Sequence, residues 1–124
     1  MRRITISSSL KFKKQIKLAI SNLKEIEVEA LFPNLEDDVA KEDITIHLMK
    51  QLTKEHFEAI DGSEALYVIC PSGYVGTLVS IEIGYAHARG KPIIFSEKPE
   101  DLGLQVIAGG YISLGELEKF KTLN

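Results

Sequence analysis

Cys70 is the only cysteine in this chain of 124 residues. A lone thiol excludes an intrachain disulfide, a CxxC redox pair and a thiolate metal cage. Long apolar runs are also lacking. The stretch MRRITISSSLKF is basic but has no apolar core of signal-peptide length, and no later segment approaches the length of a membrane span. A soluble, cytoplasmic protein with no membrane partner is the expectation. Positive charge is not in excess either: a net charge of -3 suits a polyanion poorly, so no nucleic acid polymer is expected as a partner. Arg2, Arg3, Lys11, Lys13, Lys14 and Lys17 gather near the start, but helical spacing spreads them around a solvated face.

Several functional motifs are missing too. There is no GxGxxG, since GYVG has the wrong spacing, and no GxxxxGK followed by Ser or Thr, which removes the main support for dinucleotide and P-loop chemistry. No serine stands in a GxSxG elbow, so a Ser-His-Asp hydrolase is not indicated. His47, His56 and His87 have no metal-ligand spacing and read as surface helix positions. No metal and no cofactor are expected.

What is present is a regular alternation of strand and helix signals. Arg3 to Ser7 alternates as a short strand, and the Ser7-Ser8-Ser9 cluster offers an N-cap for an amphipathic helix from about Leu10 to Leu23. Phe12, Ile16, Ala19, Ile20 and Leu23 form its apolar stripe. Ile26, Val28 and Ala30 alternate with Glu27, Glu29 and Leu31, as an edge strand does, and an acidic loop PNLEDDVAKED follows. A second helix is predicted from about Ile44 to Ile60, with Ile44, Leu48, Leu52, Phe57 and Ile60 near one face and Asp61-Gly62 at its end.

Ala65 to Cys70 is apolar at every position, the mark of a central parallel strand covered on both faces. The turn PSGYVG leads into a helix from about Thr77 to Arg89 closed by Gly90, and Ile93-Ile94-Phe95 reads as another buried strand. A loop SEKPEDLGL, a short strand over Gln105 to Ala108 and a helix from about Leu114 to Phe120 complete the pattern. It specifies one α/β domain over residues 1–124: a flavodoxin-like or Rossmann-like open, mostly parallel sheet of about five strands with helices on both faces. Ligands of such sheets bind beyond the carboxyl ends of the strands at the switch in strand order, which points at Ser7 to Ser9, Pro71 to Gly76 and Ser96 to Glu97.

In CPSGYVGTLVSIEIGYAHARGKP, Pro71 ends the ladder, while Gly73 and Gly76 permit backbone geometries closed to other residues. Two readings stand: a tight strand-to-helix turn, or a loop that lets the helix N-terminus and Thr77 seat an anion such as a phosphate. Glu82 lies among Ile81, Ile83, Ala86 and Ala88. It is either a surface glutamate paired with Arg89 or Lys91, or a carboxylate at the mouth of the strand-end cleft, acting as nucleophile or base. Tyr74 and Tyr85 are packing residues or platforms on which a ring stacks.

Taken together, ALYVIC, PSGYVG, SIEIGYAHARGKP and IIF resemble the nucleoside 2-deoxyribosyltransferase-like superfamily, which includes the deoxynucleoside monophosphate N-glycosidases. The similarity is strongest over the middle third and closest to the small-domain branch with a GYVG-type turn. The resemblance implies a flavodoxin-like fold, a small nucleoside or nucleotide as partner, homo-oligomers with sites near subunit interfaces, and cleavage of the bond between base and deoxyribose. In EIGYA, Glu82 matches the family's glutamate that attacks the anomeric carbon. Ser7, Ser8 and Ser9, with Phe12, occupy the place of its first-strand binding turn, where serine replaces a frequent aromatic. The Gly73 and Gly76 turn matches its phosphate- or sugar-approaching loop, so Ser72, Gly73, Tyr74, Gly76 and Thr77 are expected to bind substrate, and Gly90, Lys91 and Pro92 match its helix-to-strand turn. One departure is chemical. Family members carry an aspartate near the end of the central strand to protonate the leaving base, and this chain has Cys70, Pro71 and Ser72 there; Asp61 and Glu64 lie before the strand, at its far end.

Overall fold

The computed structural model describes residues 1–33 and 44–123. Its five strands are β1 (Arg3–Ser7), β2 (Glu29–Leu31), β3 (Ala65–Val68), β4 (Ile93–Phe95) and β5 (Gly110–Tyr111). They form one sheet in the order β2-β1-β3-β4-β5, and every pair is parallel. This is the flavodoxin-like order: the chain leaves β1 outward to β2 and then crosses back to β3, so the switch lies between β1 and β3. The apolar β3 is the central strand, as its composition requires, and the Glu-bearing β2 lies at an edge.

The period of two sorts the strand side chains. Ile4, Ile6, Ala65, Tyr67 and Ile69 face one core with Ile16, Ala19 and Leu23 of α1 (Lys13–Glu25) and Phe120 of α5 (Lys119–Thr122). Leu66, Val68, Cys70, Ile93 and Phe95 face the other, with Ile60 of α2 (Ile46–Asp61) and Val79, Ile83 and Ala86 of α3 (Thr77–Ala88). On β1 the same alternation turns Thr5 and Ser7 toward α2. Thr5 Oγ1 meets Ser63 Oγ at 2.7 Å, and Ser7 Oγ meets His56 Nε2 at 3.2 Å. Ser7 thus enters the protein interior because of its register.

Local signals explain most helix ends. Ser9 caps a 3-10 turn over Leu10–Phe12 by accepting from the Lys11 amide, and α1 starts only after it, so the predicted first helix divides in two. Thr45 caps α2 by accepting from the Leu48 amide, which leaves Ile44 outside the helix. Gly90, at φ 75°, follows the Arg89 C-cap of α3, the position where a left-handed residue ends a helix.

Two expectations are corrected. The predicted strand over Gln105 to Ala108 is instead α4 (Leu102–Val106): Asp101 accepts from the Gly103 amide as its N-cap, and the strand that follows is the two-residue β5. The predicted helix from Leu114 is confined to α5, because Ser113 to Glu118 is held in successive turns, including a Ser113 hydroxyl bond to Glu116. Asn34 to Asp43 of the acidic loop lies outside the described residues.

Tyr67 ties the last segment to the sheet. Its ring packs edge-on against Phe120 with centroids 4.8 Å apart, and its buried hydroxyl donates to the Ile112 carbonyl at 2.7 Å. Tyr67→Phe is expected to cost about 1–2 kcal/mol, because that carbonyl loses its side-chain donor inside the protein. Urea unfolding of the variant and the parent checks this.

Candidate active site

Glu82 lies on the stripe Val79, Glu82, Ile83, Ala86 that α3 buries against the sheet, and it is 6 % exposed. The spacing alone puts an acid among apolar contacts. Neither cation proposed from the sequence reaches it: Arg89 Nε donates to Asp61 at 2.9 Å and Lys91 Nζ to the Asp61 carbonyl at 3.3 Å. Glu82 instead borders a cavity of about 320 Å³ beyond the carboxyl ends of β1 and β3. Its apolar walls include Leu10, Phe32, Leu52 and Leu78, and its polar groups come from Ser8, Ser9, Thr53, His56, Tyr74 and Thr77. Among the described residues Glu82 is the one carboxylate lining it.

His56 is the neighbour that the sequence reading placed on the surface. It is 5 % exposed, and its Nε2 lies 3.6 Å from Glu82 Oε1. The signal was present in Leu48, Leu52, His56 and Ile60, a four-residue spacing that puts the imidazole on the apolar face of α2. Phe32 meets the ring edge-on with centroids 5.5 Å apart. His47 and His87 are exposed.

The hydrogen bonds fix the tautomer. Nε2 lies 2.9 Å from the Ile6 carbonyl, which only accepts, so Nε2 carries a proton. The Ser7 hydroxyl then accepts from Nε2 and uses its own proton on the Glu82 carboxyl. Burial lowers the His56 pKa to about 4, opposed by the bond to Ile6. Burial raises that of Glu82 to about 7, opposed by the bond from Ser7. An ion pair would move both groups the other way. The close approach is therefore that of a neutral imidazole and a carboxyl that titrates near neutrality.

Neither a family model nor a curated protein matches the chain. Solved structures do match along nearly its whole length. A 2-deoxyribosyltransferase from Bacillus psychrosaccharolyticus superposes with a TM-score of 0.71 at 15 % identity, covering 98 % of this chain and 92 % of its own. The chain has the 2-deoxyribosyltransferase fold. A CMP N-glycosidase from Clostridium botulinum (TM-score 0.60, 22 % identity, 96 % and 97 % covered) and a conserved protein from Enterococcus faecalis V583 (0.64, 16 %, 97 % and 99 %) share it. At these identities the shared property is the fold.

Within this 2-deoxyribosyltransferase fold the residues singled out from the sequence separate into two groups. Ser8, Ser9, Tyr74, Gly76, Thr77 and Glu82 converge on the cavity, and Ser7 lies behind it on Glu82. Ser8 Oγ donates to the Ile69 carbonyl at 2.7 Å, joining the ends of β1 and β3. Lys11 Nζ lies 3.3 Å from the centroid of the Tyr74 ring, and Phe12 meets that ring edge-on. The first turn of α3 borders the cavity from Gly76 onward, and Gly76 caps it without a side chain.

Ser72 and Gly73 are outside the lining. They belong to a 3-10 turn over Pro71–Gly73 that packs on the loop after β4. The Gly73 carbonyl accepts from Glu100, and a Cβ on Gly73 would lie 2.9 Å from the Lys98 carbonyl oxygen at φ 79°. Gly73→Ala is therefore expected to destabilise the fold by about 1–3 kcal/mol, read from urea midpoints. Ser96 is used in structure, accepting from the Cys70 amide at 2.9 Å. Tyr85 stacks on Phe57 and donates to Asp61, away from the cavity.

Asp61 and Glu64 are committed at the opposite end of the sheet. Asp61 holds Tyr85 and Arg89, and Glu64 accepts from the Arg2 and Arg3 amides. Neither reaches the cavity lining. Among the described residues no three His, Cys, Asp or Glu side chains converge as a metal site needs, and no helix is long and apolar enough to cross a membrane.

Proposed function

We propose that this chain cleaves or exchanges the N-glycosidic bond of a nucleoside or nucleotide, with Glu82 as the nucleophile. One observation carries the reading: a buried carboxyl, bound by no Lys or Arg among the described residues, lies on a cavity at the β1/β3 switch point. A surface glutamate has no need of that environment, and buried carboxyls with raised pKa values concentrate where chemistry is done. The shared fold, seen in a 2-deoxyribosyltransferase and a CMP N-glycosidase, supports the choice of bond.

In this mechanism a carboxylate oxygen of Glu82 bonds to the anomeric carbon as the bond from that carbon to the base nitrogen breaks, its electron pair leaving with the base. The glycosyl ester is then opened by water, giving free sugar, or by a second base, giving a new nucleoside. Among the described residues no other carboxylate lines the cavity, and the proton taken up by the departing base comes from another group or from solvent. A homo-oligomer belongs to the same reading.

The test is incubation with deoxynucleosides and their 5'-monophosphates and detection of free base. Release from the parent that persists in Glu82→Ala would remove Glu82 as nucleophile. The lack of a second carboxylate among the described lining residues favours one other reading, a binding module without turnover. Under it nucleotides raise the melting temperature and no base is released.

A further inference from the structure

We propose that His56 is the positioning residue of Glu82: its Nε2–H fixes Oε1 of the carboxylate and leaves Oε2 as the oxygen offered to the sugar. This rests on the reading of Glu82 as nucleophile. The geometry has three parts. Nε2 is anchored by the Ile6 carbonyl at 2.9 Å, which sets both the tautomer and the ring plane. Nε2 also lies 3.2 Å from Ser7 Oγ and 3.6 Å from Glu82 Oε1. The Phe32 edge bounds the ring on a further side.

At 3.6 Å the approach to Glu82 is longer than a hydrogen bond. Such contacts tighten when charge develops or substrate binds. Ionised Glu82 draws Nε2–H into a contact shared between the Ile6 carbonyl and Oε1. A neutral donor is suited to this role, because it orients the carboxylate without forming an ion pair that would quench the nucleophile. His56 lies beside the attacking carboxylate, whereas the base departs from the opposite face of the sugar, so His56 is not placed to protonate it.

Two substitutions separate positioning from packing. In His56→Gln the side-chain amide nitrogen reaches the place of Nε2 and can donate in the same direction. In His56→Leu the volume remains and the donor is lost. Among the described residues the titratable groups lining the cavity are Tyr74, His56 and Glu82. A donor drawn onto the ionised carboxylate lowers its pKa, so Glu82 titration reports on the contact.

The Leu variant is expected to lose about 10–100-fold in kcat with KM within about twofold. Its Glu82 pKa, followed by 13C NMR and by the pH profile of kcat/KM, should rise by at least about half a unit. The Gln variant should recover most of both. A Leu variant with the parent's kcat and Glu82 titration overturns the proposal, as does a folded Gln variant as impaired as Leu. The NMR titration needs no turnover, so it decides the contact even if the parent releases no base, an outcome that counts against the proposed function instead. Should Leu fail to fold, His56→Asn replaces it: its shorter amide falls at the place of Nδ1, and recovery by Asn equal to that by Gln also overturns the proposal.

Discussion

Glu82→Gln is expected to reduce base release by at least about 10³-fold while making the chain more stable than the parent at pH 8. The two effects have one cause. The amide keeps the volume and the contact with Ser7 but cannot bond to an anomeric carbon. It also removes a charge that burial disfavours. Glu82 titrates at about 7 in the fold against an ordinary value of 4.5, a difference worth ~3 kcal/mol once the carboxyl is ionised. The parent bears that loss above pH 7 and the Gln variant does not.

The pH dependence of the parent's activity follows. In the proposed mechanism only the carboxylate attacks, so kcat/KM should rise with pH through about 7 to a plateau. A group acting in its protonated form would give the reverse slope. An active parent whose kcat/KM falls through that range, or a Gln variant as active as the parent, would sink the assignment.

The second large effect appears in stability rather than rate. Between about pH 4.5 and 6.5 the unfolded chain holds a proton on His56 and none on Glu82, whereas the folded chain holds one on Glu82 and none on His56. Proton counts match, and the pair adds no slope to stability in this window. Each single substitution exposes the other partner. In Glu82→Gln the unfolded state binds the extra proton, so stability rises with pH from about 4 to 6.5 by ~1.4 kcal/mol per unit. In His56→Gln the folded state binds it, so stability falls from about 4.5 to 7 at a similar slope.

Urea unfolding of both variants, each taken as a difference from the parent at the same pH, measures this. The subtraction is needed because Asp61, Glu64 and Glu116, held low by Tyr85, the Arg2 amide and Lys119 respectively, lose their contribution as pH falls. Parallel slopes in the two variants would show that the buried pair does not hold its protons as the structure indicates.

How much of this is legible in the sequence differs from element to element. Apolar runs bounded by turn residues identify β3 and β4, and alternation with capping serines identifies β1 and the helix after it. α4 reads wrongly as a strand because Gln105 to Ala108 is apolar enough for one, while the Asp101 cap that decides for helix lies outside that window. The Gly73 turn is legible as a place needing glycine. The requirement, however, comes from the loop carrying Lys98 and Glu100, distant enough in sequence that no local pattern shows it.

The segment from Tyr67 to Pro92 shows the division most clearly. Its strand, glycine turn and helix follow from composition and spacing, because backbone hydrogen bonding and burial of an apolar stripe are local demands. Glu82 is recognisable there as a glutamate within apolar sequence. What it faces is set by the crossover from β1 to β3 and by the packing of α2 on α3, which bring Ser7 and His56 to it from 75 and 26 residues away. Residue order thus sufficed for most of the elements, for the sheet's central strands and for the candidate carboxyl. The protonation of that carboxyl and the identity of its partners came from the packed fold, because both depend on desolvation and on contacts between segments that chain topology, and no local preference, brings together.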